Sequence, residues 1–570
     1  MAKNKLAWKI GGEAGAGISA TGYAFALACA RGGLHINTYS EYPSLIRGGH
    51  NTFQVRAEGS RIYSHIGPVD LLVALNKETI DYHKHEITEN GGIIYDGDNI
   101  KIDRSELRQD IKLYNVPMLK LAQQAGGGKI MVNSVALGAT VAIIDYSLEL
   151  LENVITKEFS RKGTIILHED IEAAKLGYTH IKKNYPNDFK AKLEKIGSAR
   201  MLLTGNDAVC LGAIKAGCKF FAAYPMTPAS SILHFMAAHE KDFSMVVKQS
   251  EDELAAINMA IGAGFAGVRS MTATSGGGFS LMTEALGLAG MAETPVVVVE
   301  CQRPGPSTGL PTWTGQGDLR QVLHASQDDY PKIVIAPGDA NECYYRTIEA
   351  FNLAEKYQLP VIILSDKLLA EGFVTEDKFN DVVIERNLIA DSPEGYKRYK
   401  FTDSGTSPRA IPGQKNCIHV ATSDEHDEYG SICEDETNRN MMMDKRMRKL
   451  DYALRELPEP ELLGEKDADV TIISCGSTKG AVIEAMNYLA NEGVKSNYLQ
   501  ITYLNPLHAD KISKIIIDAN KTVVIENNKT GQLAGLIKEK TSLAVDYKIL
   551  KYSGRPFYAG EICEKIRGLK

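Results

Sequence analysis

Residues 249–278 read QSEDELAAINMAIGAGFAGVRSMTATSGGG, and the order of residue types in this stretch decides the fold. Ser250 followed by Glu251, Asp252 and Glu253 opens a helix, with Ser250 and Glu253 at capping-box spacing. Leu254, Ile257, Ile261 and Phe265 then recur at helical intervals, and past Gly267 the pattern turns extended over residues 269–273. A helix leading at once into a strand is one turn of an α/β repeat. The repeat continues outward: helix 206–217, strand 219–223, helix 228–239, strand 244–248. Further on, the apolar runs 296–301 and 360–364 suit a parallel sheet covered by helices on both faces. The expected class is α/β, with several doubly wound parallel-sheet domains.

The same alternation appears at both ends. Residues 5–10 read as a strand, residues 11–17 as a Gly-rich loop, the following residues as a helix to about Ala30, and residues 35–42 as a second strand. A lysine-rich helix is expected over residues 188–195. Residues 469–475, 495–502 and 521–525 read as strands, and 478–491 and 531–541 as helices. Between them, residues 376–465 mix charges, Pro and Gly and read as an irregular connecting region with helical pieces. This divides the 570 residues into a Gly-rich α/β domain (1–190), a central domain (200–375), the connecting region and a closing α/β domain (466–570).

Composition narrows the function classes. A formal net charge of −7 carries no basic field for nucleic acid. The longest uncharged stretch, residues 254–268, falls short of the roughly 20 residues a membrane span needs. No signal-peptide pattern opens the chain, so a soluble cytoplasmic protein is expected. The nine cysteines include no CxxC pair, which suits buried thiols better than a zinc or iron–sulfur site.

Three places in the central domain carry chemistry. Thr227 and Pro228 follow a strand, where an N-cap and a first helical residue belong, and also where a parallel sheet presents ligand sites. Glu253 reads either as a capping-box partner or as a carboxyl aimed at a ligand. Gly262, Gly264 and Gly267 each weaken a helix by about 1 kcal/mol relative to Ala, which points to a close approach that capping does not explain. Arg303 leaves an apolar strand into the Pro/Gly loop QRPGPSTGLPT (302–312), placed either to grip a carboxylate or to bridge loop carbonyls.

Together YPMTPAS (224–230), the 249–278 stretch, the 302–312 loop and VIENNKTGQLAGLI (524–537) resemble the alpha subunit of 2-oxoacid:ferredoxin oxidoreductases with a gamma domain fused in front. The resemblance implies a gamma-type first domain, a thiamine-diphosphate pyrimidine-binding-type domain and a transketolase C-terminal-like domain. It implies that Glu253, followed by Met259-Ala260-Ile261-Gly262, activates the aminopyrimidine of thiamine diphosphate, and that Thr227 adjoins the cofactor. Thr227, Arg303 and Thr312 would face the 2-oxoacid, with Arg303 on its carboxylate. The activity implied is decarboxylation of a 2-oxoacid, 2-oxoglutarate favoured, with transfer of the acyl group to coenzyme A. Electrons would pass singly to a 4Fe–4S cluster and then to ferredoxin. The cluster and Mg2+ would belong to a beta subunit, in a dimer of alpha–beta heterodimers. Met226 departs from the isoleucine usual in that motif, a swap of similar volume.

Other readings stand beside this one. The 2-oxoacid is open, with pyruvate or a branched-chain acid as alternatives. A transketolase-like enzyme, a non-catalytic assembly or CoA-binding subunit, and a nicotinamide dehydrogenase built on Gly12, Gly15, Gly17 and Glu41 are rivals, though the glycine order GxxGxG differs from the dinucleotide fingerprint. Arg47-Gly48-Gly49-His50 reads as a turn or an anion contact. Asp96-Gly97-Asp98-Asn99 reads as a turn, Gly476-Ser477-Thr478-Lys479-Gly480 as a helix start. His83, His85 and His426 are expected at the surface.

Overall fold

Strand Lys5–Glu13 is buried at every residue but its two ends, because its residues face covered layers on both sides of a sheet. In the computed structural model, which describes residues 3–45, 48–159, 163–388 and 394–569, it pairs in parallel with Val69–Ala74 and antiparallel with His50–Glu58. Helix Ile18–Arg31 and strand His35–Glu41 follow it as expected. The opening is nevertheless not a simple parallel unit, since His50–Glu58 lies between the first two strands and runs against both. Gly11 and Gly12 belong to the strand itself, which shortens the glycine-rich turn to residues 14–17. Gly48 and Gly49 take positive φ in the turn before His50, and Arg47 lies outside the described residues.

The expected helix over residues 188–195 is absent: this segment has no helical hydrogen bonding, and Lys192 bridges to Lys3. Phe189, Ala191 and Leu193 are the buried positions. Their spacing of two belongs to extended chain rather than to a helix.

The chain divides into one unit of Met1–Leu203 with Gly372–Phe379 and another of Thr204–Glu371 with Asn380–Lys570. The eight-stranded sheet of the first unit therefore ends on two strands far apart in sequence, Val374–Glu376 and Met201–Leu203.

The second unit holds two sheets. The seven-stranded one runs in the order Tyr503–Asn505, Ile333–Ile335, Pro360–Asp366, Val296–Gln302, Ser270–Thr274, Phe220–Ala223, Val246–Gln249. All its pairings are parallel except the outermost one of Tyr503–Asn505. Val296–Gln302 and Pro360–Asp366 are buried along their whole length, in keeping with central strands covered on both faces. The five-stranded sheet runs Leu462–Gly464, Ser496–Gln500, Val470–Ser474, Thr522–Glu526, Tyr547–Leu550, parallel apart from its first pair. Thr478 does open a helix, Thr478–Asn491, and Asp96 closes the expected turn by accepting from Asp98 N and Asn99 Nδ2.

Within residues 376–465 the longest element is a 21-residue helix, Glu436–Glu456. Its Lys445 and Lys449 are fully buried and both reach the carboxylate of Glu293 at 2.5 Å. Two expected surface histidines are also buried. His426 is 0 % exposed, with Nδ1 against the Asp424 carbonyl. His83 is hydrogen-bonded through Nδ1 to Glu86 and through Nε2 to His50. Acidic neighbours in sequence suggested solvent, but each ring fills a gap between elements.

Candidate active site at the carboxyl end of the central sheet

Helix Glu253–Phe265 starts two residues later than the capping-box reading requires. Asp252 is the N-cap: its extended backbone lets the side chain accept from Ala255 N at 2.7 Å. Ser250 Oγ donates to the Asp252 carbonyl instead. Glu253 therefore performs no capping. Its side chain is 4 % exposed, and Oε1 is buried without a hydrogen-bond partner among the described residues. A buried, unpaired carboxyl oxygen is costly unless a donor completes it.

The buried stripe of this helix is Glu253, Ala256, Ile257, Ala260, Ile261 and Gly264, so the expected face was turned: Leu254 is 46 % exposed. Small residues lie inward because a Cβ at Gly264 would strike the Pro295 carbonyl. Gly267 takes positive φ just past the helix, whereas Gly262 faces open space.

The glycines of SGGG explain how Glu253 is reached. Helix Gly276–Met291 begins with three glycines and no side-chain cap. A Cβ on Gly278 would collide with Glu253 Oε1 and Thr274 Oγ1, and one on Gly276 would collide with the carboxylate of Asp318. A helix N-terminus stripped of side chains thus approaches two carboxyl groups, Glu253 and Asp318.

Thr227 is joined to Pro228 by a cis peptide bond, and the next helix begins only at Ser230, so Thr227 is not its cap. Its carbonyl accepts from Arg303 Nη1 at 2.7 Å. Arg303 emerges at the end of Val296–Gln302, half-buried. Burial pushes its guanidinium below the usual value while Asp318 opposes the shift.

Arg303 lines a cavity of about 810 Å3 together with Met226, Gly276, Thr308, Asp318 and Asn528. Glu253, Thr227 and Thr312 are not among its lining residues, and Thr312 is buried in the turn. Thr227 nonetheless touches Arg303, and Glu253 meets the same three-glycine turn, so three of the four expected residues converge. Thr314 lines the cavity where Thr312 was expected.

Several contributors escaped the sequence reading. Gln316 N donates to the Asn527 carbonyl at 2.8 Å, and Asn528 Nδ2 to the Gln316 carbonyl at 3.1 Å. Gln532 Nε2 donates to the Gly317 carbonyl at 2.6 Å. The loop after Arg303 is thereby clasped by the ENNKTGQ stretch, which the resemblance had quoted without a role. Glu300 was hidden inside an apolar strand, and Asp318 in a loop. Glu300 is fully buried and Asp318 partly so, and their charge is disfavoured: burial lifts Asp318 to about 6 and drives Glu300 well above the usual carboxylate range. Among the described residues no group of three or more His, Cys, Asp or Glu is arranged to hold a metal ion, and no single helix is long and apolar enough to cross a membrane.

Residues 211–445 match the thiamine-diphosphate-binding family of pyruvate flavodoxin/ferredoxin oxidoreductases, and residues 7–180 match the pyruvate ferredoxin/flavodoxin oxidoreductase family. The 2-oxoacid:ferredoxin oxidoreductase subunit alpha of Sulfolobus sp is 35% identical over 99% of this chain and 96% of its own length. The 2-oxoglutarate oxidoreductase subunit KorA of Mycobacterium tuberculosis is 31% identical over 98% of this chain and 90% of its own. Among solved structures, the 2-oxoglutarate:ferredoxin oxidoreductase from Magnetococcus marinus, with 2-oxoglutarate, coenzyme A and succinyl-CoA bound, aligns with a TM-score of 0.93 at 35% identity, covering 99% of each chain. With its thiamine-binding domain, its clasped arginine loop and likeness along its whole length, the chain belongs to the 2-oxoacid:ferredoxin oxidoreductase family, as an alpha subunit.

Proposed function

We propose that this chain, joined to a beta subunit, oxidatively decarboxylates a 2-oxoacid, 2-oxoglutarate foremost, with coenzyme A, giving the acyl-CoA and carbon dioxide while electrons pass to ferredoxin. The observation that carries the reading is Glu253: a buried carboxyl relieved of capping by Asp252, with one oxygen left without a donor. That oxygen fits the family's cofactor. Thiamine diphosphate, when bound, supplies the carbon nucleophile that lets a 2-oxoacid lose carbon dioxide.

The chain's own residues do the rest. Glu253 holds a proton at the aminopyrimidine nitrogen, as a general acid–base group. Arg303, fixed by the Thr227 carbonyl, binds the substrate carboxylate, and a guanidinium is suited to do so with two parallel hydrogen bonds. Thr227 orients the arginine, and Thr312 backs the loop from within its turn. The clasp from Asn527, Asn528 and Gln532 keeps that loop in one conformation.

The beta subunit is assigned Mg2+ and the 4Fe–4S cluster, and the assembly is a dimer of alpha–beta heterodimers. Exposed apolar side chains on the helix that carries Glu253 and on the segments before it support a partner there: Tyr224 (41 %), Val246 (46 %), Leu254 (46 %) and Met259 (44 %). Val246 also begins the edge strand Val246–Gln249, whose outer side pairs with no other strand of the sheet.

The test is Glu253→Ala in the assembled alpha–beta enzyme, followed by ferredoxin reduction with 2-oxoglutarate and coenzyme A. Turnover should fall by about 10²- to 10⁴-fold, with the circular dichroism spectrum unchanged. A variant that turns over at the wild-type rate removes Glu253 from the mechanism.

A further inference from the structure

Glu300 lies three residues before Arg303, fully buried, and among the described residues neither of its carboxyl oxygens has a hydrogen-bond donor. Asp318 lines the cavity beside Arg303, and its Oδ2 is likewise buried without a donor. The two carboxyls lie close enough to act on each other's ionisation, Asp318 raising Glu300 and Glu300 lowering Asp318. Ionised carboxylates only accept hydrogen bonds, so two of them facing each other are satisfied only when a proton lies between them.

Among the described residues the surroundings do not relieve the pair in any other way. Asp318 N donates to Gln302 Oε1, which orients the backbone but leaves the carboxyl alone. From the adjacent strand comes Asp366, a further acid, already held by Ser477 and Gln316. The helix Gly276–Met291 presents glycine. Across the cavity stand Lys529, bonded to the Tyr552 hydroxyl at 2.9 Å, and the uncharged Asn527 and Asn528. Among the described residues Arg303 is the cation that acts on Asp318, and the two oppose each other's shifts.

We infer that Glu300 and Asp318 form a proton-sharing carboxyl pair that takes up a second proton when the substrate carboxylate settles on Arg303. The inference rests on the assignment of Arg303 to that carboxylate. With one proton the pair carries one negative charge, which partly cancels Arg303 in a cavity that must receive an anion. An incoming carboxylate displaces that balance, and the low-dielectric position of the pair makes neutralisation by a proton the cheaper response. Burial sets Asp318 at about 6, so at neutral pH the second proton is absent from the empty site and available to be taken up. No bond to carbon is made or broken in this step; a proton moves from solvent to the pair on binding and returns on release. Glu300 and Asp318 are positioning residues that act through the charge around Arg303.

The assembled alpha–beta enzyme is assayed from roughly pH 5.5 to 8.5 with 2-oxoglutarate, and KM and kcat are separated. KM in the wild type should rise with pH above the titration of the pair, approaching about tenfold per pH unit for one linked proton, and the same step should be missing from kcat. Asp318→Asn and Glu300→Gln should each abolish the step. Calorimetric binding of 2-oxoglutarate to the wild type, in buffers of different ionisation heat, should show proton uptake at neutral pH, which requires no variant to fold. Zero uptake, or a KM step that survives in Asp318→Asn while Arg303→Lys weakens binding, overturns the pair and leaves the substrate assignment standing. An unchanged KM in Arg303→Lys overturns both.

Discussion

Glu253 shows how much hangs on one position. Four polar residues in a row, Ser250 to Glu253, all can cap a helix, and spacing alone picked Ser250 with Glu253. The backbone picked Asp252, whose φ of −156° turns its side chain back toward Ala255 N. Asp252→Ala should therefore cost about 1 kcal/mol of stability, read from the denaturation midpoint of the second unit, whereas Glu253→Ala should not show this cap loss. Gly278 offers a complementary test. A methyl group there improves helix propensity by about 1 kcal/mol, yet it would occupy the space of Glu253 Oε1 and Thr274 Oγ1. Forcing a methyl into this packed site costs about 1–3 kcal/mol, so Gly278→Ala should lower the melting temperature and also cut kcat/KM by up to about 10²-fold, the cost typical of a misplacement of about 1 Å. By sequence Arg303 reads as gripping a carboxylate or bridging carbonyls, and its contact is to a carbonyl; that the carbonyl belongs to Thr227 was not legible, because seventy-six positions separate the two in the chain.

Helix Glu436–Glu456 carries the clearest energetic statement at the scale of an element. Read by sequence, MMMDKRMRKLDYALRE is one charged stretch of an irregular connecting region with helical pieces. In the fold, its Lys445 and Lys449 enter the interior and share Glu293, while Arg398 donates to the Glu293 carbonyl at 2.7 Å. Burial opposes a charge on Glu293, but the two lysines outweigh it and hold the carboxyl well below the usual range. Its contribution to stability is therefore complete above the ordinary carboxylate value and fades as the pH falls through the acid range. Lys449 runs in the other sense. Burial lowers it to about 7 against the pull of Glu293, so stability decreases as the pH drops from the ordinary lysine value toward 7 and then levels off. Glu293→Gln strands two buried ammonium groups and should cost about 3–5 kcal/mol near neutral pH. The loss should be smaller at roughly pH 9 than at pH 6, since neutral lysines need no counter-charge; urea denaturation at the two pH values measures the difference.

For the whole molecule, the strand Val374–Glu376 was the least foreseeable piece. After Pro360–Asp366 of the central sheet, the chain adds three residues to the sheet of the first unit and then returns. Val374 pairs with Asn37 on one side and Leu203 on the other. Phe373 N donates to Thr38 Oγ1, and Thr38 N to the Phe373 carbonyl. Val374→Pro removes a backbone donor from a strand with neighbours on both sides, where proline is not tolerated. Amide exchange should speed up in His35–Glu41 and Met201–Leu203, while Val296–Gln302 in the second unit keeps its protection; unchanged exchange in the first two strands would contradict the pairing. Three residues form too short a run for any periodicity to announce a strand.

The alternation of helices and strands, the apolar central strands and the identity of Glu253 and Arg303 were set by residue type and local spacing, because period and turn chemistry act over a few neighbours. What only the tertiary structure decided is who meets whom: Asp318 with Glu300, Gln316 with Asn527, Lys449 with Glu293. Glu300 looked like an interruption in a valine run, and Asp318 like one polar residue among many in a loop. Their chemistry comes from shared burial, and burial depends on the packing of segments remote in sequence, which no window along the chain contains.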